Sequence, residues 1–483
     1  MSILVVDVGT SGVRSAVVGA DARIAAVHHR PVLPSTPAPG FVEFDPVAMA
    51  DAVLGTARET MAAAGPVEAV GIATQRASTV VWDRRTGAPV GPGVGWQDLR
   101  TAAMCLALKE QGVAVAPNES ATKAAFLLDM ADPDRTRDLC VGTVDSWVAW
   151  TLSEGTAHVT DVSNAGLTGL LELDGSGWAR RPLEALRIAE TAMPDLVDSS
   201  GVVAEARALP GAPPIAGMAG DQQASLVGQG CTRPGLAKVT FGTGGMLDLC
   251  VGPERPAFPR RGRHGTFPIA AWRRSGRITW GLEAVMLTAG QSVEWLRDDL
   301  GLLSSAAESA EVAAACDSAE GVWFVPALLG LGAPVWDFGA RGTLLGLTRG
   351  SGRPQIVRAV LEGVAHRGVD LLEAVEADGN VAIASLRVDG GMTANPVFLE
   401  ALADAAQRPV EVSPVVEATA LGAAFLAGLA LGTWADEDEV AATWSPARVV
   451  EPRTRTGAAR ERWREACQRA RGWVPELTAI EFA

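Results

Sequence analysis

Two short stretches of this 483-residue chain put glycines and hydroxyls at the bend of an apolar hairpin. The first, ILVVDVGTSGVRSAVV at 3–18, runs β-branched residues into Asp7, a Gly-Thr-Ser-Gly turn and then Arg14. The second, AKVTFGTGGMLDLCV at 237–251, repeats the pattern in the other half of the chain. Glycines let a backbone approach a phosphate with no Cβ in the way, and successive N–H groups at such a bend form an anion nest. Thr10, Ser11 and Thr243 add hydroxyl donors. Asp7 would repel a bare phosphate, but makes sense beside one when Mg²⁺ lies between them. Its other reading is a turn residue capping its own backbone. Arg14 reads as a group that neutralises transferred charge, or as a surface arginine on an edge strand.

A third stretch, GDQQASLVGQG at 220–230, follows the apolar, Gly-rich PIAGMAG and so places Asp221 at a strand end. A carboxylate there can take the proton of a substrate hydroxyl as it attacks a γ-phosphoryl group, and phosphoryl transfer asks for little more than that base, positioning and charge neutralisation. The same residues also fit a helix start with Asp221 as N-cap. Gln75 and Arg76 close the continuous apolar run VEAVGIAT at 67–74, at the strand end where α/β proteins bind ligands.

The elements that position these groups alternate throughout, which makes the class α/β. RIAAVHHRPVL extends the opening hairpin to a third strand; a helix follows with Asp45 as N-cap, Pro46 at its first position and Gly65 as its stop. STVVWDRRTGAPV reads as a hairpin turning at 84–87. Later come a long helix over 355–377, the strand SLRVDGG, a helix after Pro396, the strand PVEVSP and an apolar helix from Glu417. The length implies two domains of roughly 200–250 residues; the second hairpin opens the second, so the domains are drawn at 1–235 and 236–483. Each half starts with strand, glycine turn, strand, and two such halves facing each other would form a cleft with a phosphate-gripping bend on either wall.

With 48% hydrophobic and 20% charged residues the composition is that of a globular protein, and a net charge of −15 excludes a broad basic face for nucleic acid or an anionic membrane. Six scattered cysteines without a Cys-x-x-Cys pair predict reduced thiols in a cytoplasm, and no signal peptide precedes the first strand. The uncharged stretch at 418–435 has the length of a membrane span, but its Ala and Gly content and acidic flanks favour a close-packed buried helix.

In combination, DVGTSGVR (7–14), GIATQRASTVVWD (71–83), GWQDLRT (95–101), TDVSNAG (160–166), GDQQASLVGQGC (220–231), KVTFGTGG (238–245), RGTLLGLTRG (341–350) and DGGMTANP (389–396) resemble the FGGY carbohydrate kinases of the actin and hexokinase superfamily, most closely the glycerol kinases. The resemblance covers nearly the whole chain. It implies two actin-like (ribonuclease H-like) domains flanking an ATP cleft, with Mg²⁺ as cofactor and a small polyol or sugar as substrate. Asp221 matches the family's general base and Asp7 the acidic residue near the metal. Thr10, Ser11, Gly12 and Arg14 match the first phosphate loop, and Thr243 the second. Gly290, Glu294, Gly391 and Asn395 match the nucleotide cradle, which the second domain would supply. Arg76, Gln222 and Trp96 match contacts to the substrate's hydroxyls and carbon skeleton. A homodimer follows by analogy.

The departures fall on the substrate side. Glycerol kinases carry Glu after the matching arginine, where this chain has Ala77; they carry an aromatic hydroxyl at Asn118 and a Phe at Met246. Each lost hydrogen bond to a polyol hydroxyl is worth about 0.5–3 kcal/mol, and Ala77 opens volume. Glu294 replaces a usual Gln at the nucleotide rim, and SATKAAFLLD (120–129) keeps Lys123 but lacks the tryptophan that usually follows. The expected activity is an ATP-dependent kinase of a small polyol or sugar; the alternatives are a pentulose (xylulose-type) kinase and a non-catalytic ATP-binding regulator on the same fold.

Overall fold

A computed structural model describes residues 1–455 and 457–480. The N-terminal half supplies β1 (Ser2–Val8), β2 (Gly12–Gly19), β3 (Ile24–Pro31), α1 (Pro46–Ala64), β4 (Ala69–Thr74), β5 (Ser200–Glu205), β6 (Pro214–Gly220) and α2 (Asp221–Gly228). The C-terminal half supplies β7 (Ala237–Phe241), β8 (Gly245–Gly252), β9 (Phe267–Arg274), β10 (Arg277–Met286), α3 (Gln291–Asp298), α4 (Arg353–Gly379), β11 (Leu386–Asp389), α5 (Pro396–Ala406), β12 (Val410–Val412), α6 (Ala418–Leu431) and β13 (Arg448–Val450).

These 13 strands form one sheet in the order β13-β12-β11-β7-β8-β10-β9-β5-β6-β4-β1-β2-β3. Each half repeats one plan. In the first, β1, β2 and β3 form an antiparallel meander, and β4 and β6 run parallel to β1. In the second, β7, β8 and β10 form the meander, and β11 and β12 run parallel to β7. The halves join through a single register pair, Ser200 with Arg274.

Local chemistry explains the elements. Asp45 Oδ1 accepts from the N–H groups of Val47 and Ala48, Pro46 opens α1, and Gly65 ends it at a positive φ of 92°. Every residue of β4 is buried, as befits a strand covered on both faces. One of those covers comes from the opposite half. Helix α6 packs on β1, β4 and β6, and a Cβ at Gly71 would stand 2.5 Å from the Ala423 carbonyl oxygen. Helix α6 also crosses α2 so closely that a Cβ at Gly422 would collide with the Ala224 carbonyl, and one at Gly228 with that of Ala418. The uncharged stretch at 418–435 is therefore this buried helix and its exit; among the described residues no helix is long and apolar enough to cross a membrane.

One expected hairpin is different. The turn at 84–87 forms, with Asp83 Oδ1 accepting from the N–H groups of Arg85 and Thr86, but the return arm makes only an isolated bridge between Trp82 and Pro89. The strand Thr79–Asp83 pairs instead with Leu139–Thr143 in a separate sheet of four strands. All six cysteines are free thiols.

Candidate active site

Register brings the candidate residues of the first half to one edge. Val8 pairs with Thr74 and Thr74 with Gly220, so the parallel strands β1, β4 and β6 end side by side. Asp7 with the first glycine turn, Arg76, and Asp221 leave the sheet there. The motif at 160–166 buttresses this edge: Thr74 Oγ1 donates to Asn164 Oδ1 at 3.3 Å, and Gly220 N–H donates to Ser163 Oγ at 2.9 Å. Asp161 anchors the motif, accepting from Ser163, Asn164 and Ser199.

Asp221 is the first residue of α2 and not its cap, a position Gly220 occupies. Its Oδ1 accepts from the Gln222 N–H at 2.8 Å and lies 3.4 Å from Arg76 Nε. Burial pushes its carboxyl above the ordinary range, against the pull of Arg76. Asp7 is pushed up to about 7, chiefly by burial, with Arg14 opposing and Asp221 and Glu417 reinforcing the rise. Among the described residues no backbone N–H caps onto Asp7; Arg14 stands 3.9 Å from it, too far for a hydrogen bond. Arg14 is not on an edge, because β2 lies between β1 and β3, and it is tied to Glu417 at the start of α6.

A ring of hydrogen bonds joins the first turn to Trp96. Gln75 Nε2 donates to Gly9 O at 3.2 Å, Ser78 Oγ donates to Gln75 Oε1 at 2.9 Å, Trp96 N–H donates to Ser78 Oγ at 3.0 Å, and Trp96 Nε1 donates to Thr10 Oγ1 at 3.2 Å. Between Arg76 and Ser78, Ala77 is buried in a left-handed conformation, φ 62°, and its carbonyl accepts from Ser120 Oγ. Asn118 is exposed on the loop that Lys123 holds by donating to the carbonyls of Pro117 and Glu119, and burial lowers the pKa of that lysine to about 8. Ser11 is exposed at the tip of the turn, while Gly12 is buried against His29 of β3.

The second half converges in the same way. Thr240 pairs with Asp389, so β7 and β11 end together and carry the turn at 242–245 and the loop Gly390–Gly391. The residues before α3 close on that turn: Ala289 N–H and Gly290 N–H donate to the carbonyls of Thr243 and Gly242, each at 2.8 Å. A Cβ at Gly290 would meet Gly242 O at 2.7 Å. Thr243, Glu294 and Gly391 face solvent around this cradle. Asn395 caps α5, its Oδ1 accepting from Val397 and Phe398 and its Nδ2 donating to Ser309, so its side chain has a structural task.

The two halves touch across the cleft floor. Arg76 Nη1 lies 2.7 Å from Glu283 Oε2 on β10, and Nη2 lies 4.0 Å from Met246 Sδ, just past the second glycine turn. Glu283, Asp221 and Asp248 outweigh the burial of Arg76 and hold its pKa above the ordinary value. Lys238 Nζ donates to Gln222 Oε1 at 2.6 Å. Sequence reasoning missed Lys238, Asp248, Glu283 and Glu417; for the first three the one signal was a charge within an otherwise apolar strand, which does not tell what faces it, and Glu417 is the N-cap residue of α6.

A model of the N-terminal domain of the FGGY family of carbohydrate kinases matches residues 2–228, and one of its C-terminal domain matches residues 237–431. The chain belongs to the FGGY family of carbohydrate kinases. It is 42% identical to a glycerol kinase of Trichlorobacter lovleyi over 98% of this chain and 99% of that one. Among solved structures, a glycerol kinase of Plasmodium falciparum with ADP superposes with a TM-score of 0.89 at 26% identity, covering 99% of this chain and 98% of that one. A xylulose kinase of Lactobacillus acidophilus shares the fold, with a TM-score of 0.85 at 20% identity over 97% of each chain. The two repeats are thus the actin-like domains of an FGGY kinase, an ATP-dependent enzyme that phosphorylates a hydroxyl of a polyol or sugar.

Proposed function

We propose that the acceptor is a short polyol of glycerol's class, bound between Arg76, Trp96, Gln222 and Met246, and that Asp221 is its general base. The observation that carries this is the placement of Asp221: at a strand end, first in its helix, with a raised carboxyl pKa beside Arg76. A raised pKa makes a stronger proton acceptor near neutral pH. Arg76 and Gln222, each fixed from the opposite half, orient the acceptor hydroxyls so that one oxygen faces Asp221. Thr10, Ser11 and Arg14 on one wall, and Thr243 on the other, hold the phosphates, while Gly290 and Gly391 leave room for the nucleoside. Asp7 fits a Mg²⁺ ion, since it is a half-buried carboxylate that accepts no side-chain hydrogen bond among the described residues. Bound there, the ion would spread the negative charge of the phosphates. Closure of the halves excludes water, so that hydrolysis does not compete.

A pentulose acceptor is the second reading, favoured by the small Ala77 and the exposed Asn118. Incubation with ATP, Mg²⁺ and a panel of polyols and ketoses separates the two by acceptor-dependent ADP release. Asp221→Asn is expected to lower kcat at least about a hundredfold on the best acceptor. Folded protein that releases no ADP with any acceptor overturns the assignment.

A further inference from the structure

One buried group of charges holds Arg76 and Gln222 from the opposite half, and its central member, Asp248, has no role above. Lys238, Asp248 and Glu283 stand in a row across β7, β8 and β10, since Lys238 pairs with Asp248 and Asp248 with Glu283. The side chains of Lys238 and Asp248 are 0% exposed and that of Glu283 is 7% exposed. Lys238 Nζ lies 2.8 Å from Asp248 Oδ2 and also donates to Thr240 Oγ1. Both ends of the row cross to the other half, Lys238 to Gln222 at 2.6 Å and Glu283 to Arg76 at 2.7 Å.

Removing ions from water costs several kcal/mol each, and apolar residues of similar volume usually serve stability as well or better. A charge row this deeply buried therefore needs a reason beyond stability, and both of its outward partners are acceptor-site residues. We propose that Asp248 is a positioning residue for the acceptor: through Lys238 it fixes Gln222, and beside Glu283 it completes the charge balance that fixes Arg76. The C-terminal half thereby sets the geometry of hydroxyl contacts made by the N-terminal half. None of the residues assigned to the nucleotide touches this chain of contacts, so nucleotide binding is expected to be unaffected.

This rests on the acceptor site proposed above. Wild type, Asp248→Asn, Gln222→Ala and the double variant are compared by steady-state ADP release and thermal midpoint, using the best acceptor of the panel. Asp248→Asn is expected to raise the acceptor KM about tenfold, the loss of one hydrogen bond to a charged group, while the ATP KM stays within about twofold. In the Gln222→Ala background the same change should add less than it does in wild type, because the part carried through Gln222 is already lost and only the part through Arg76 remains. Fully additive effects, or equal rises in both KM values, overturn the proposal. Should Asp248→Asn not fold, Glu283→Gln is measured in its place, and an unmoved acceptor KM is again fatal. No turnover by wild type would sink the kinase reading; turnover with an unmoved Asp248→Asn would sink the positioning role alone.

Discussion

Asp7 and Asp221 lose water on folding, and in both the loss outweighs the neighbouring arginine. For Asp7 the consequence for stability has a definite sign. A carboxyl raised from 3.8 to about 7 contributes stability that is full below the unfolded value and is lost as pH rises through the folded one. Asp7→Asn removes the ionisable group and keeps its shape. It should leave the thermal midpoint unchanged near pH 4 and raise it by a few degrees at about pH 8, read by differential scanning calorimetry. At position 77 the prediction concerns selectivity. The backbone there already carries a β-carbon at φ 62°, and Ala77→Glu would place a carboxylate next to Arg76. It should improve kcat/KM for glycerol relative to larger polyols, and an unchanged ratio would show that the position does not line the pocket. Asp7, Arg76 and Asp221 were legible near strand ends because each interrupts or follows an apolar run. Lys238, Asp248 and Glu283 were not, since alternation along a strand says which face a residue takes but not what charge waits on the neighbouring strand.

Helices α2 and α6 meet through Gly228 and Gly422, and this contact sets two opposing effects against each other. In an isolated helix Gly→Ala gains about 1 kcal/mol. In this crossing the new methyl meets a carbonyl, and overpacking costs about 1–3 kcal/mol or more. Gly422→Ala should therefore lower stability in urea unfolding, the reverse of what propensity dictates. Gly290→Ala tests the nucleotide cradle by the same logic: a methyl 2.7 Å from Gly242 O must displace the second turn, and the ATP KM should rise several-fold while the acceptor KM holds. Most elements could be read in advance where local signals sufficed, as with Asp45, Pro46 and Gly65 around α1. The hairpin at 79–90 forms its turn and one antiparallel bridge, but its longest pairing is with Leu139–Thr143, far along the chain, and no turn signal reports a distant pairing.

At the scale of the molecule, the halves share more than a hinge. Helix α6 follows the last parallel strand of the second half, yet it covers β1, β4 and β6 of the first. Expressed alone, residues 1–235 lack that cover. The fragment should bind a hydrophobic dye and lose near-ultraviolet dichroism, and adding residues 236–483 should restore the signal; a native-like fragment would show that α6 is dispensable to the first core. The repeated glycine hairpins made the twofold plan visible in the sequence, whereas this exchange of a helix between halves leaves no mark in periodicity. The single pairing of Ser200 with Arg274 has a different effect. Strands β5 and β9, which would be the inner margins of two separate sheets, shield each other from foreign chains. The outer margins are guarded by composition and length: β3 ends in His28, His29, Arg30 and Pro31, and β13 is 3 residues long. The basic residues and proline at the end of β3 and the shortness of β13 thus work against a second copy extending the sheet, and so against aggregation edge to edge.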